Sequence, residues 1–190
     1  MDLKVKIKKI FILFFFLLFT ILTLNSQNKI KGNIASALLG IPNFSYEIKI
    51  GSKTSFQVDA TASFWESFNH APQKFIMFFP EFRYYTQSFN KGFFLGTHVG
   101  GSSYTMQKYN YWSTDFYQKG YNIMYGMTVG YTFEFYKKWN LELFLGGGSS
   151  QAYYKGYRIS NQTRYDDAKK FNKSGEWILY KGGLMLVYQF

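Results

Sequence analysis

Along most of this chain, apolar and polar residues alternate with a period of two, as strands do when one face is greasy and the other wet. The cleanest run sets Tyr121, Ile123, Tyr125, Met127, Val129, Tyr131, Phe133 and Phe135 against Asn122, Gly126, Thr128, Gly130, Thr132 and Glu134. Reading in order predicts eight strands. The first covers Ile30 to Leu38 and ends at the turn residues Leu39 to Asn43. The second pits Phe44, Tyr46, Ile48 and Ile50 against Ser45, Glu47 and Lys49, and the third runs from Ser55 to Phe64. In the fourth, Ile76, Phe78, Phe82 and Tyr84 oppose Glu81, Arg83 and Tyr85, with a bulge expected at Pro80, which has no N–H to give. Phe93, Leu95, Thr97 and Val99 oppose Gly96, His98, Gly100 and Ser102 in the fifth. Trp139, Leu141, Leu143 and Leu145 oppose Asn140, Glu142, Gly146 and Gly148 in the seventh. The last strand, Trp177 to Phe190, carries Ile178, Tyr180, Gly182, Leu184, Leu186, Tyr188 and Phe190 on one face and Trp177, Lys181, Gly183 and Gln189 on the other.

The connections sort by length. Residues 51–53, 88–92 and 136–138 are short, whereas 65–73, 107–119 and 156–175 are long, and the two kinds alternate along the chain. Short turns at one end and long loops at the other are what bacterial outer-membrane barrels show. The fold expected is therefore all-β: an eight-stranded antiparallel up-and-down transmembrane barrel over residues 27–190. Aromatics at strand ends (Tyr84, Phe135, Trp139, Tyr188 and Phe190 at one rim, Phe64 and Tyr121 at the other) suit two interfacial girdles. A soluble barrel would point its apolar residues inward. An eight-stranded interior is too narrow for so many rings and leucines, so volume decides against it.

Composition agrees. Aromatics reach 23%, yet mean hydropathy is only −0.20, because apolar residues are interleaved with polar ones. Residues 1–26 differ: Lys4, Lys6, Lys8 and Lys9 precede an apolar run from Ile10 to Leu24, then Asn25 and Ser26. This is the pattern of a cleavable secretory signal peptide, with the cut expected between Ser26 and Gln27. Removing four Lys and one Asp leaves 18 basic and 10 acidic residues, a net +8. Cys is absent, which excludes a disulfide framework and thiolate ligands.

The inward set predicted by alternation is Glu47, Lys49, Asp59, Glu81, Arg83, His98, Glu134, Glu142 and Lys181. Ions removed from water must be paired, so these groups are expected to cross-link and plug the interior; a proton- or ion-conducting path is the sharper alternative. A lipid-modifying enzyme would need His, Ser and a carboxylate near the outer rim, and Glu66, Ser67 and His70 are the one candidate cluster; an exposed loop is the plainer reading. His98 is expected to be a hydrogen-bonded interior histidine. No cofactor or metal is expected, since two His without Cys make no His/Cys site and Gly146 to Gly148 lacks the residues of a phosphate loop. Lys155, Arg158, Arg164, Lys169, Lys170 and Lys173, with Asp166 and Asp167 among them, make the last long loop basic, either as a surface for lipopolysaccharide phosphates or an acidic partner, or as a solvated loop. Nucleic acid is not an expected partner.

Three segments carry a family resemblance: Leu39 to Glu47, Pro80 to Tyr85, and Lys138 to Glu142. Their order resembles that of small, uncharacterised outer-membrane barrel proteins of bacteroidete-type Gram-negative bacteria, which contain a domain of unknown function. The resemblance implies the fold and an outer-membrane location, and transfers no catalytic residues. The terminal strand resembles the assembly signal read by the barrel-insertion machinery, with Tyr188 and Phe190 as its aromatic pair. The expected role is structural or surface-interacting, through loops that meet outer-membrane lipids and an external partner; a lipid-acting enzyme or a narrow pore is the alternative.

Overall fold

A computed structural model describes residues 27–67, 70–166 and 170–190. The signal peptide expected over residues 1–26 lies outside the described residues, as do Asp167 and Lys169. Eight strands close into one antiparallel up-and-down ring: β1 Lys29–Asn33, β2 Asn43–Lys49, β3 Thr54–Glu66, β4 Pro72–Tyr85, β5 Gly92–Met106, β6 Phe116–Tyr136, β7 Trp139–Arg158 and β8 Asn172–Gln189. Each pairs with its chain neighbours, and β1 closes on β8 with Lys29 opposite Gln189. The short connections 50–53, 86–91 and 137–138 share one end of the ring with Lys29 and Gln189, here termed the short-turn end.

The strands are longer than alternation suggested. β6 and β7 have 21 and 20 residues, against about 10 needed to cross a bilayer, so their hairpin rises beyond the opposite wall. The loops shrink accordingly, to 67–71, 107–115 and 159–171. Conversely, the first strand stops at Asn33 rather than Leu38. Ile34–Leu38 is instead a short helix, α1, because Asn33 caps it: Asn33 Oδ1 accepts the Ser36 N–H at 3.3 Å. The bulge expected at Pro80 is absent. Pro80 sits opposite Val58 in an unbroken β3–β4 register, while the β4–β5 ladder skips Phe79 and Pro80 and resumes in the same register. A missing N–H costs that ladder a bond without shifting it.

Register shifts lie elsewhere: β6 carries Phe135 as an extra residue opposite the Trp139–Asn140 step, and between Gly146 and Gly147 of β7 it is β8 that carries Tyr180 as an extra residue. A one-residue insertion reverses which side chains face inward. The continuous stripe expected through Ile178, Tyr180 and Gly182 is therefore broken. Below the bulge Lys181, Met185 and Val187 point inward; Tyr180 also turns inward, and Trp177 and Leu179 face out at 79% and 68% exposure.

The ring is inside-out relative to a water-soluble one. Phe78, Leu95, Ile123, Val129, Phe133 and Leu143 are about half exposed on its outer face, whereas Lys29, Lys31, Glu47, Glu81, Arg83 and Glu142 are fully buried within. The interior is not uniformly polar. Tyr85, Phe94, Phe144, Met185 and Val187 form an apolar layer near the short-turn end, and Phe89 from the 86–91 turn packs against it. Room for long side chains comes from glycines on the neighbouring strands β6 and β7. A Cβ on Gly126 would stand 2.7 Å from the Tyr180 hydroxyl, and one on Gly146 would stand 2.8 Å from the Lys181 stem.

Candidate functional site

Alternation aims one side chain in two at the ring axis, and in this interior opposite charges interleave into a chain. Lys29 Nζ lies 3.2 Å from Glu47, and Lys31 Nζ lies 2.7 Å from Glu47 and 2.5 Å from Glu142. Glu142 also accepts from Arg83 Nη1 at 2.8 Å, Arg83 Nε reaches Glu81 at 2.6 Å, and Glu81 accepts from Lys181 at 2.7 Å. Four cations thus alternate with three carboxylates, each carboxylate held by two cations. The strands not represented are tied in through hydroxyls and imidazole. Ser55 of β3 donates to Glu47, Thr128 of β6 donates to Glu81 at 2.9 Å, and Tyr85 donates to Glu47 at 2.7 Å. His98 of β5 bridges Tyr180 at 2.7 Å through Nε2 and Thr128 at 3.0 Å through Nδ1. Every strand of the ring contributes.

Aromatic groups close the network above and below. Phe79 and Tyr180 stack with centroids 5.5 Å apart and planes 4° from parallel, and His98 meets both edge-on. Below, Lys29 Nζ sits 3.7 Å from the Phe89 ring centroid and the Arg83 guanidinium 4.4 Å from that of Phe94. Between these layers the ions are at most 6% exposed, so they depend on one another more than on bulk solvent.

Of the residues singled out by alternation, Glu47, Glu81, Arg83, His98, Glu142 and Lys181 are brought together. Asp59 is buried but separate, accepting from Ser45 and from Asn43 Nδ2 at 3.1 Å. Lys49 reaches Gln27 at the short-turn rim. Glu134 does not join: β6 runs past the rim there, and the side chain is 67% exposed and paired with Lys91 at 3.2 Å. Tyr85 and Thr128, which alternation places on the inward faces of their strands, join the network as well, whereas Lys29, Lys31 and Tyr180 were missed. The two lysines had a signal, since they alternate with Ile30 and Gly32. Tyr180 had none, because only the bulge turns it inward.

The rim cluster is not assembled among the described contacts. Glu66 is engaged by Lys74 at 3.4 Å, and exposed His70, in the left-handed region, donates its backbone N–H to Ser67 O. Of the basic residues expected in the last long loop, Lys155 and Arg158 fall in β7 and Lys173 in β8, and the described ones spread rather than converge. Arg164 pairs with Asp166, Arg158 approaches Asp115 at 4.0 Å, and Lys155 and Lys173 lie over Phe171 and Tyr153. Asp115 accepts the Ser160 N–H and O–H, which hold its carboxyl below the usual aspartate range and tie the two tallest loops together.

Tyr188 and Phe190 lie at the short-turn rim. Tyr188 packs against Trp139 with centroids 4.8 Å apart and against Phe190 at 5.5 Å, and Phe190 donates its N–H to Asn28 O at 3.0 Å.

No curated protein and no solved structure matches the chain. A family model described as a protein of unknown function, DUF3575, matches residues 11–190, which takes in every strand of the ring and every member of the charge network. With that much of its length covered, the chain belongs to the DUF3575 family.

Proposed function

We propose that this protein is exported by a cleaved signal peptide and resides in the bacterial outer membrane as a transmembrane β-barrel. Its interior is plugged by the Lys29–Glu47–Lys31–Glu142–Arg83–Glu81–Lys181 chain, and it acts as a structural or surface-interaction protein through its long loops. The observation that carries the reading is the inversion: large apolar side chains cover the outside while charges fill the inside. Exposed apolar area of this extent is costly in water and favourable against lipid. Among the described residues no helix is long and apolar enough to cross a membrane, so in this reading the strands do. Trp139, Tyr188 and Phe190 at one rim, with Phe64 and Tyr121 toward the other, serve as the interfacial girdles. The loops at the tall end face outward, toward lipopolysaccharide and an external partner.

Cell fractionation tests the location. The protein is expected with the outer membranes, migrating faster on gels before boiling than after; recovery in the soluble fraction would sink the proposal. Tyr188 and Phe190 are proposed as the assembly signal. Deleting Phe190 removes a ring from the rim stack and is expected to cut the heat-modifiable population severalfold at equal expression. Normal insertion of that variant would remove the assignment.

A further inference from the structure

On the outer wall a hollow opens over β1. There Gly32 leaves a groove of about 530 Å³ flanked by Ile30 and Phe44 on one side and Leu186, Tyr188 and Trp139 on the other. Helix α1 closes its far end. Gly32 pairs with Leu186 and forms the floor; a Cβ there would meet only Asn43 O, at 3.8 Å, so the hollow is open rather than occupied by the protein. Its exposed lining is almost wholly apolar, and Lys31, which borders it, sends its ammonium inward to Glu47 and Glu142.

The short-turn end, where Trp139 and Tyr188 stand, is basic. It carries Lys49, Lys53, Lys91, Lys137 and Lys138, and among the described residues Glu134 is its one side-chain carboxylate. Glu134 is taken by Lys91, Lys53 donates to Thr86 O at 3.0 Å, and Lys49 is bound to Gln27. Lys137 and Lys138 form the exposed turn that leads directly into Trp139; Lys137 lies over the Tyr136 ring and lines a rim hollow with Lys91 and Glu134, whose carboxylate is paired with Lys91. Neither Lys137 nor Lys138 lines the trough itself, but Lys138 directly precedes Trp139, which does, so the apolar trough ends next to a basic turn, a pairing that matches one molecule in shape and charge.

Building on the membrane reading above, we infer that this face binds one anionic phospholipid, with an acyl chain along the Gly32 trough and its phosphate at Lys137 and Lys138. The trough removes chain methylenes from the fluid bilayer and gives them fixed van der Waals partners. The lysines supply attraction that a zwitterionic headgroup satisfies less well.

The test reconstitutes the full mature protein into mixed phosphatidylcholine–phosphatidylglycerol vesicles, releases it in mild detergent and weighs the complexes by native mass spectrometry. Wild type is expected to keep one phosphatidylglycerol, favoured about tenfold over phosphatidylcholine, which corresponds to about 1.4 kcal/mol. Gly32→Leu, which fills the trough, is expected to lose most of that adduct while remaining heat-modifiable. The Lys137→Gln/Lys138→Gln variant is expected to retain a lipid without preference for the anionic one. Equal retention by wild type and Gly32→Leu overturns the inference, as does a wild-type dimer that Gly32→Leu abolishes, since a second copy would then fill the trough. Insertion into vesicles without retained lipid defeats this inference alone; failure to insert defeats the membrane reading as well.

Discussion

Replacing Glu142 with glutamine is expected to destabilise the ring by about 3–5 kcal/mol, because it leaves two buried cations short of a counter-charge. Glu142 is the middle carboxylate of the chain, fully buried, with Lys31 on one oxygen and Arg83 on the other. Glutamine keeps the shape but offers one acceptor where two are used, and turns an N–H₂ toward a donor. Glu47 and Glu81 are already shared with Lys29 and Lys181, so they cannot absorb the excess charge. The control is Glu134→Gln, whose exposed pair with Lys91 is worth at most about 1 kcal/mol. The two variants are compared by urea unfolding of the refolded protein. Removing Lys31 as well, in Lys31→Met/Glu142→Gln, should recover part of the loss, since the two sites share one interaction. Equal midpoints for Glu142→Gln and Glu134→Gln would show that the interior is wet enough to solvate lone ions, and the plug would fail with it.

The second large effect discriminates solvents. Val129 faces out at 53% exposure and pairs with Leu95 and Leu145, midway between Tyr121 and Phe135 on β6. In water, an arginine at such a surface position changes stability by less than about 0.5 kcal/mol. At a bilayer midplane the same change costs about 2–4 kcal/mol. Val129→Arg is therefore expected to shift the unfolding equilibrium in lipid vesicles by that larger amount, whereas an arginine at Tyr136, at the rim, should shift it little. A neutral Val129→Arg would remove the ring from the membrane. An inward substitution such as Thr128→Val acts on Glu81 and His98 instead, so neighbouring positions on β6 report on opposite sides of the wall.

What could be read in the residues followed from the two-residue repeat. A period of two requires that Tyr125 and Val129 share a face opposite Thr128, whatever they pack against, and β6 obeys it from Tyr121 to Phe133. The same rule brought Arg83, Glu81 and Glu142 inward and sorted the short turns from the long loops. Where the reading failed, something other than alternation set the outcome. Asn33 stopped β1 by capping a helix, a local hydrogen bond that outweighs the apolar run after it. Pro80 lost a ladder bond yet kept register, because the β3–β4 pairing holds β4 from its other side. Glu134 kept its parity but lay beyond the rim, and parity says nothing about height.

The pairing of charges was decided by the ring alone. Lys31 and Glu142 stand 111 positions apart and meet only because β1 closes on β8, beside β7. Strand tilt and closure determine which inward groups share a level, and neither is written in any one strand. The same holds for Tyr180: the glycine run at 146–148 lets β8 insert one residue, and that single step reverses which of its side chains see the interior. Sequence by itself determined the strand number, the sorting of loops and every face up to the β8 bulge, since faces follow the chain's local period and loops fall where that period breaks. Tertiary structure decided the partners, because contacts across a closed cylinder depend on how all eight strands are staggered at once.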